Sequence, residues 1–369
     1  MLTTKAAVVE APGAPFTVQE VTLADLAPHE VLVRVVAAGL CHTDLGVQAG
    51  GIPFRLPGVL GHEGAGVVLE TGAAVTGVRP GDRVLMSFTS CGACPGCRGG
   101  HPAYCDTWVP RNLIMGVRDD GSPTLLRGGE PIGGRFFGQS SFAAHAVVDE
   151  RSVVVVDEDA PLEILAPLGC GVQTGVGTVW KVLAPGPGSL LVVFGSGAVG
   201  LSAVMAAAAL PLRAVIAVDR VAARLELALE LGATHTIDAG SVDVPAAIAE
   251  ITGGRGTTHA IETTAVPAVL RTAVDTLGIG GTCAVVGAPP RGTEVSFDVQ
   301  SLLPGKRVVG VTLGDGEPQT IIPQLVARHR AGRLPLEKLI THYHLADLDA
   351  AAADMHHGRT VKPVIRFED

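Results

Sequence analysis

The stretch that most limits what this chain can fold into runs from Ser189 to Leu212 without one charged residue. That length could span a bilayer. Yet Gly195-Ser196-Gly197 interrupts it after the β-rich run Leu190-Leu191-Val192-Val193-Phe194, and Pro211 closes it. A buried strand, a glycine turn and a buried helix explain the pattern better than a membrane span. The turn reads Gly195-Ser196-Gly197-Ala198-Val199-Gly200, and the next apolar run, 214–219, ends in Asp219. A GxGxxG alone is a weak signal. Placed between a strand and a helix, with an acid closing the following strand, it is the full dinucleotide pattern. The glycines admit a pyrophosphate to the helix N-terminus, and the acid takes the ribose hydroxyls. Asp219 would repel a 2′-phosphate, which favours NAD over NADP, although Arg220 beside it could accommodate one.

From residue 190 onward the chain alternates strands with Ala-rich helices. Helices are expected at 198–210 and 222–231, the second stopped by Gly232, and strands at 214–219, 260–262, 282–286 and 307–311. This is the βαβ signature of a parallel sheet. The first part differs. Strands at 5–10, 16–21, 30–36, 61–69, 82–88 and 142–148, separated by Pro and Gly turns, indicate a β-barrel or sandwich, with no helix of length before about residue 160. The tail from Pro318 carries amphipathic helices at 319–331 and 348–355 and a last strand at 362–367. The expected organisation is a β-rich domain split by an inserted doubly wound domain. At 369 residues, two domains are the natural outcome.

A net charge of −9 argues against nucleic acid or an anionic membrane as a partner. The N-terminal Met1-Leu2-Thr3-Thr4-Lys5 lacks a basic segment followed by an apolar one, so no secretory signal is read there and a cytoplasmic location is expected. The seven cysteines are an odd set without a secretory context, which favours metal ligation over a disulfide framework.

Four of those cysteines form Cys91-x2-Cys94-x2-Cys97-x7-Cys105, threaded with Gly92, Pro95, Gly96, Gly99 and Gly100. Four thiolates so close can wrap one tetrahedral ion with no open position, and a loop this poor in apolar residues needs the ion to fold. A redox or disulfide cluster is the plainer reading, and structural zinc the better one. A second set is dispersed: Cys41, His62 and Cys170. Each alone is more often a buried small hydrophobe or a satisfied core histidine. Together, two thiolates and an imidazole make a three-ligand zinc site with a fourth position open. Asp44 is placed to fix the imidazole's tautomer, Thr43 offers a hydroxyl near a ligand, and Glu63 puts negative charge beside the ion. Trp108 follows the four-cysteine loop and could face a pocket, though packing is its default. Cys283, in a buried strand pattern, reads as inert, and His342, His344, His356 and His357 read as surface residues.

These motifs resemble the zinc-containing medium-chain alcohol dehydrogenases. Gly61-His62-Glu63-x2-Gly66-x5-Gly72-x2-Val75 matches that family's zinc signature, and the four-cysteine loop, Cys170 and the Gly195–Gly200 turn follow in family order. The resemblance implies a GroES-like β-rich catalytic domain, 1–170 and 312–369, around a Rossmann domain, 171–311. It implies one catalytic zinc on Cys41, His62 and Cys170 and one structural zinc on Cys91, Cys94, Cys97 and Cys105, with NAD as cofactor. By position, Thr43 would hydrogen-bond the alcohol oxygen, Asp44 would orient His62, and Glu63 would lie behind the metal. His42 and Lys362 would contact the pyrophosphate, Thr174 and Val199 the nicotinamide, and Phe88 would wall the substrate pocket. Many members end a proton relay in a histidine where this chain has Gly46.

Within the family the sequence is most similar to NAD-dependent aryl-alcohol dehydrogenases of the benzyl or geraniol type, through Cys41-His42-Thr43-Asp44-Leu45, Leu56-Pro57-Gly58-Val59-Leu60-Gly61 and Gly314-Asp315-Gly316-Glu317-Pro318-Gln319-Thr320. The expected reaction is reversible oxidation of a primary aromatic or allylic alcohol to an aldehyde, in a homodimer or homotetramer. A thiol-adduct formaldehyde dehydrogenase is the alternative, with Arg111 and Arg118 as candidate cations at the mouth. A non-catalytic nucleotide-binding protein is the third reading, disfavoured because all seven ligands are present.

Overall fold

The computed structural model describes residues 2–367. It forms two compact units, Met1–Cys170 with Glu317–Asp369 and Gly171–Gly316.

The first unit is β-rich, as its short alternating runs require. The strand Glu30–Gly39 is its spine, pairing antiparallel with Gly64–Thr71, His145–Asp149 and Lys362–Arg366. Inward valines of these strands and of Arg83–Met86 and Val153–Val156 pack as one core, including Val31, Val33, Val35, Val68, Val84 and Val148. A second, five-stranded sheet is built on the hairpin Leu2–Val9 and Phe16–Leu23. The returning tail joins the first sheet because Lys362–Arg366 pairs with Glu30–Gly39, bringing Lys362 against Glu63.

One feature of this unit escapes the periodicity. Residues His42–Gln48 form a short helix at whose start Cys41 and Asp44 make a capping box, Asp44 Oδ2 accepting from Cys41 N at 2.9 Å. The expected strand 61–69 begins later, at Gly64, so His62 and Glu63 sit on the approach to the strand rather than in it.

The second unit holds a six-stranded parallel sheet ordered His235–Asp238, Ala214–Asp219, Leu190–Phe194, Thr257–Glu262, Leu277–Val285, Arg307–Gly310. The order reverses between Leu190–Phe194 and Thr257–Glu262, which is where a doubly wound sheet binds its ligand. Its core is dry and aliphatic: Val192, Phe194, Ile216, Val218, Ala260 and Cys283 are all buried. The helix Ala198–Ala208 is buried nearly all round, which explains its lack of charge. Among the described residues no helix is long and apolar enough to cross a membrane. Two helices not read from the sequence, Val244–Thr252 and Pro267–Asp275, complete the pattern.

Candidate metal centres and nucleotide site

The dispersed ligand set converges. Cys41, His62, Glu63 and Cys170 each place a donor atom within 4.8 Å of the others'. Cys41 caps its short helix, His62 precedes the strand Gly64–Thr71, and Cys170 follows the turn Ala166–Gly169. Glycine is required around His62. Gly61 sits at φ +89°, and a Cβ there would lie 2.5 Å from Phe142 N.

Asp44 is fully buried and does what its position suggested. Its Oδ1 accepts from Gly61 N and lies 3.0 Å from His62 Nδ1. The imidazole therefore carries its proton on Nδ1, leaving Nε2 buried without a hydrogen-bond partner. A buried orphan nitrogen beside two thiols is the geometry a zinc ion satisfies. The electrostatics agree. Cys170 hydrogen-bonds to Cys41 and holds the Cys41 thiol well below its usual range, against burial. The same contact, together with burial, pushes Cys170 well above its range. Two buried sulfurs so close cannot both ionise unless a cation joins them. Burial would lower the His62 pKa, but Asp44 and Cys41 carry it up to about 10, so without an ion Nε2 takes a proton that a zinc ion there would replace. Thr43 Oγ1 lies 3.7 Å from Cys41 Sγ, and His42 is exposed at the start of the same helix.

Glu63 and Lys362 form a buried pair, with Nζ 3.0 and 2.9 Å from the two carboxylate oxygens and 3.0 Å from Leu40 O. Burial works against the ammonium, but Glu63 and Cys41 hold its pKa above the ordinary lysine range. Lys362 is the residue expected at a pyrophosphate, and in this structure its ammonium is held by Glu63 and Leu40. The side chain is 3% exposed and its three donors are directed at Leu40 and Glu63.

Sequence reasoning singled out Phe88 and Trp108 but missed the other members of an aromatic wall around His62, Phe54, Phe136 and Phe137. Phe137 stacks on the imidazole with centroids 4.4 Å apart, and Phe136 meets it edge-on at 5.3 Å. Trp108 contacts Phe137 edge-on at 5.5 Å, Phe88 lies 6.4 Å from Trp108, and Phe54 lies 5.2 Å from Phe136. Aromatic residues are only 4% of the chain, yet four of its nine phenylalanines and one of its two tryptophans gather here. The pair Phe136-Phe137 was the available signal. Phe137 adopts φ 52° and ψ 33°, a left-handed conformation that costs a bulky residue about 1–2 kcal/mol. Gln139, in the same turn, ties the site together. Its Nε2 donates to His62 O and Ser87 O, and its Oε1 accepts from Gly64 N.

The four-cysteine loop is also assembled, with its sulfurs within 4.8 Å of one another. Zn–S bonds of about 2.3 Å in a tetrahedron set sulfurs about 3.8 Å apart, and Cys91 and Cys97 are 3.9 Å apart. Backbone N–H groups of Ala93 and Cys94 donate to Cys91 Sγ, that of Cys97 to Cys94 Sγ, and that of Cys91 to Cys105 Sγ. The Ala93 amide leads in bringing Cys91 down to about 6, while burial pushes Cys97 up to about 12. Arg151 donates to the carbonyls of Ser90 and Cys91.

Arg111 and Arg118, the candidate cations for an anionic adduct, each have a carboxylate partner within the chain. Arg111 pairs with Asp119, and Arg118 binds buried Glu30 bidentately. Glu30 also takes Arg135, 2.5 Å away, which in turn reaches Asp149. Cys283 is buried, its thiol pushed up by burial to about 12. His342 and His344 lie exposed on the strand Ile340–His344, and His356 and His357 are exposed at the end of Leu348–His356.

In the second unit the glycine turn takes the shape its sequence asked for. Gly195 has φ +92°, and a Cβ on Gly200 would lie 1.8 Å from Gly195 O. At Gly197 there is nothing within 4 Å, so a phosphate can approach the start of Ala198–Ala208. Asp219 closes its strand, with Oδ2 accepting from Ser196 N at 2.6 Å and Oδ1 from Arg220 N and Val221 N. It therefore also braces the glycine turn. Thr174 is buried on Gly171–Gly177, a helix that packs closely on Ala198–Ala208, where a Cβ on Gly175 would lie 2.2 Å from Val199 O.

Comparison with known proteins agrees with both halves. Residues 27–158 match the family description "Alcohol dehydrogenase GroES-like domain", and residues 198–328 match "Zinc-binding dehydrogenase". The chain is 43% identical to a geraniol dehydrogenase of Castellaniella defragrans, over 99% of this chain and 98% of that one. It is 44% identical to the crystal structure of a benzyl alcohol dehydrogenase from Acinetobacter calcoaceticus, with a TM-score of 0.95 and full coverage of both chains. A zinc-binding alcohol dehydrogenase domain protein from Burkholderia ambifaria is 49% identical, with a TM-score of 0.96 and full coverage of both. With its GroES-like unit and its parallel-sheet nucleotide-binding unit, the chain belongs to the zinc-type medium-chain alcohol dehydrogenases.

Proposed function

We propose that this alcohol dehydrogenase oxidises primary aromatic or allylic alcohols to aldehydes, reversibly, with NAD as the hydride acceptor. The observation that carries the substrate class is the aromatic wall of Phe54, Phe88, Trp108, Phe136 and Phe137 around His62, which suits a flat, unsaturated substrate. The geraniol and benzyl alcohol dehydrogenases among its relatives support the same reading.

Cys41, His62 and Cys170 would hold one zinc, and Cys91, Cys94, Cys97 and Cys105 a second, structural one. The unit 1–170 with the tail would be the catalytic domain, and the inserted unit would hold the cofactor. When bound, zinc supplies a Lewis acid that acidifies a hydroxyl, and the nicotinamide supplies the hydride acceptor. The chain's own residues do the rest. Asp44 keeps the His62 proton on Nδ1. The Thr43 hydroxyl, beside Cys41, would accept the substrate's proton and pass it to solvent, since Gly46 offers no relay imidazole. Glu63 and Lys362 set the charge behind the ligands. Gly195, Gly197 and Gly200 would admit the pyrophosphate, with His42 nearby in role, while Asp219 selects NAD and Thr174 and Val199 would back the nicotinamide.

A homodimer or homotetramer would cover Ile279, Val299, Leu303 and Val308, which are exposed near the Arg307–Gly310 edge of the sheet. None of the seven cysteines is in a disulfide, which fits a reducing, cytoplasmic setting.

The test is NADH formation with benzyl alcohol, cinnamyl alcohol, geraniol, sorbitol, and formaldehyde with and without thiols. We expect kcat/KM for the first three to exceed that for sorbitol by at least about a hundredfold, the scale set by pocket complementarity. A strict thiol requirement, or a preference for sorbitol, overturns the reading.

A further inference from the structure

We propose that the turn Arg135–Ser140 is a positioning device for His62, in which the ring of Phe137 fixes the imidazole plane so that Nε2 points at the ion position it shares with Cys41 and Cys170. The proposal deepens the alcohol-oxidation reading and rests on it.

Every side of the imidazole but one is held. Asp44 takes Nδ1, Phe137 covers a face with the planes 26° apart, and Phe136 stands at 88° against the ring. Nε2 alone is left, and it is buried without a hydrogen-bond partner. Asp44 can fix the tautomer and the direction of the Nδ1–H bond. With the ring tethered at Cβ and held at Nδ1, it can still swing about the line joining those two points, and one hydrogen bond resists this only weakly. A stacked ring removes that freedom.

The backbone is shaped for this contact. Phe137, Gly138 and Ser140 all have positive φ, at 52°, 73° and 50°. Strain of that kind at a bulky residue persists only where the surroundings enforce it. Ser152 Oγ donates to Phe137 O at 3.3 Å, Ser140 N to Phe136 O at 3.0 Å, and Ser140 Oγ to Val59 O at 2.7 Å. Gln139, from the same turn, donates to the carbonyl of His62 itself. One turn thus grips His62 by its backbone and by its ring. The side chain of Phe137 is 3% exposed, so its main contacts are His62, Phe136 and Trp108 rather than solvent.

The test is the rate at which the purified holoenzyme gives up zinc to a chelator, resolved into two phases. His62→Ala identifies the phase that belongs to the three-ligand site by lacking it. Phe137→Leu and Phe137→Gly are compared with Phe137→Tyr, which keeps a ring face. The glycine variant relieves the left-handed backbone and so offsets part of the cost of the lost ring, which gives the two ring-less variants different packing defects. We expect release from the three-ligand site to quicken by about 3- to 10-fold in the leucine and glycine variants, the scale of one ring pair. The four-cysteine phase should be unchanged, and tyrosine should restore the wild-type rate. A purely structural role would speed both phases or neither. Release at the wild-type rate from the leucine and glycine variants overturns the proposal alone, as does equal release from the leucine and tyrosine variants. A wild-type protein that binds no zinc on Cys41, His62 and Cys170 overturns the alcohol-oxidation reading together with it.

Discussion

The first unit contains two sulfur clusters built on opposite plans. The four-cysteine loop lies within one short stretch of chain, and its own amides donate to its sulfurs. Three of its cysteines are only partly buried. The other cluster draws Cys41, His62 and Cys170 from three distant stretches, and His62 is buried completely. A loop with so few apolar side chains to bury would draw its folding energy from an ion. The dispersed site is organised by the fold around it, through Asp44, Gln139, Phe137 and the Glu63–Lys362 pair. On the proposed reading, one site would need metal in order to fold, while the other would need the fold in order to bind metal.

That contrast predicts opposite outcomes for ligand removal. His62→Ala should lower kcat/KM by at least about a thousandfold, since metal polarisation of the substrate is worth several kcal/mol. It should release one zinc, keep NADH binding by the second unit, and lower the unfolding midpoint less than loss of a cysteine of the loop does. Metal analysis, cofactor titration and thermal unfolding check the three parts. Retained turnover in a protein lacking that zinc would break the comparison at its root. Cys97→Ser should do the reverse, releasing the other zinc and costing about 4 kcal/mol or more in stability. Its activity should survive at low temperature and vanish on mild warming. If it unfolds no more easily than wild type, the loop does not depend on its ion.

The two plans also explain what could be read from the sequence. Cys91-x2-Cys94-x2-Cys97-x7-Cys105 is a local pattern, and local patterns are visible in one dimension. The GxGxxG turn and Asp219 were legible for the same reason, since strand, turn, helix and acid follow in order. Asp44 was legible because it is three residues from Cys41. Phe137 was not, because its stacking on His62 joins residues far apart in the chain, through a left-handed backbone that periodicity does not report. Lys362 was read by family position as a phosphate contact, but its burial against Glu63 depends on the tail strand completing the first sheet. The helix Val244–Thr252 was overlooked although Asp243 caps it and Gly253 ends it in the left-handed region, both of which are local signals.

Glu30 tests how separate the two clusters are. Its carboxylate binds Arg118, which follows the four-cysteine loop, and Arg135, which opens the turn that carries Phe137. Burial pushes the Glu30 pKa up, but Arg118, the Ala27 amide and Arg135 hold it below the usual carboxylate range. The unfolded chain therefore binds this proton more readily than the folded one. The resulting stability is complete above about pH 4.3, the ordinary glutamate value. It is lost as pH falls through the lower folded value. Glu30→Gln should cost about 3 kcal/mol at pH 7 by leaving buried guanidinium groups without their carboxylate. The gap between variant and wild type should close as pH falls through the acid range, as urea unfolding at a series of pH values would show. If the clusters are independent, both zinc ions stay bound in this variant at neutral pH. Loss of either ion would mean that one carboxylate couples them, and the contrast would need to be redrawn.

The seventh cysteine supplies the smallest effect and the sharpest control. Cys283 lies in the parallel sheet of the second unit, fully buried, its neighbours Val192, Ala260 and Ala273 offering no metal ligand. Burial, with Glu262 adding to it, pushes its thiol up to about 12, the reverse of what an ion would do. Its sulfur is a packing group, so Cys283→Ala should cost about 1 kcal/mol for the small void it leaves. Zinc content, kcat/KM and both zinc-release phases should match wild type. A cysteine substitution that disturbs nothing but stability shows that losses at Cys41, Cys97 or Cys170 come from their placement around an ion. Should Cys283→Ala also shed zinc, sulfur loss anywhere would loosen both clusters, and the division between a site that folds on its ion and a site that the fold prepares would no longer hold.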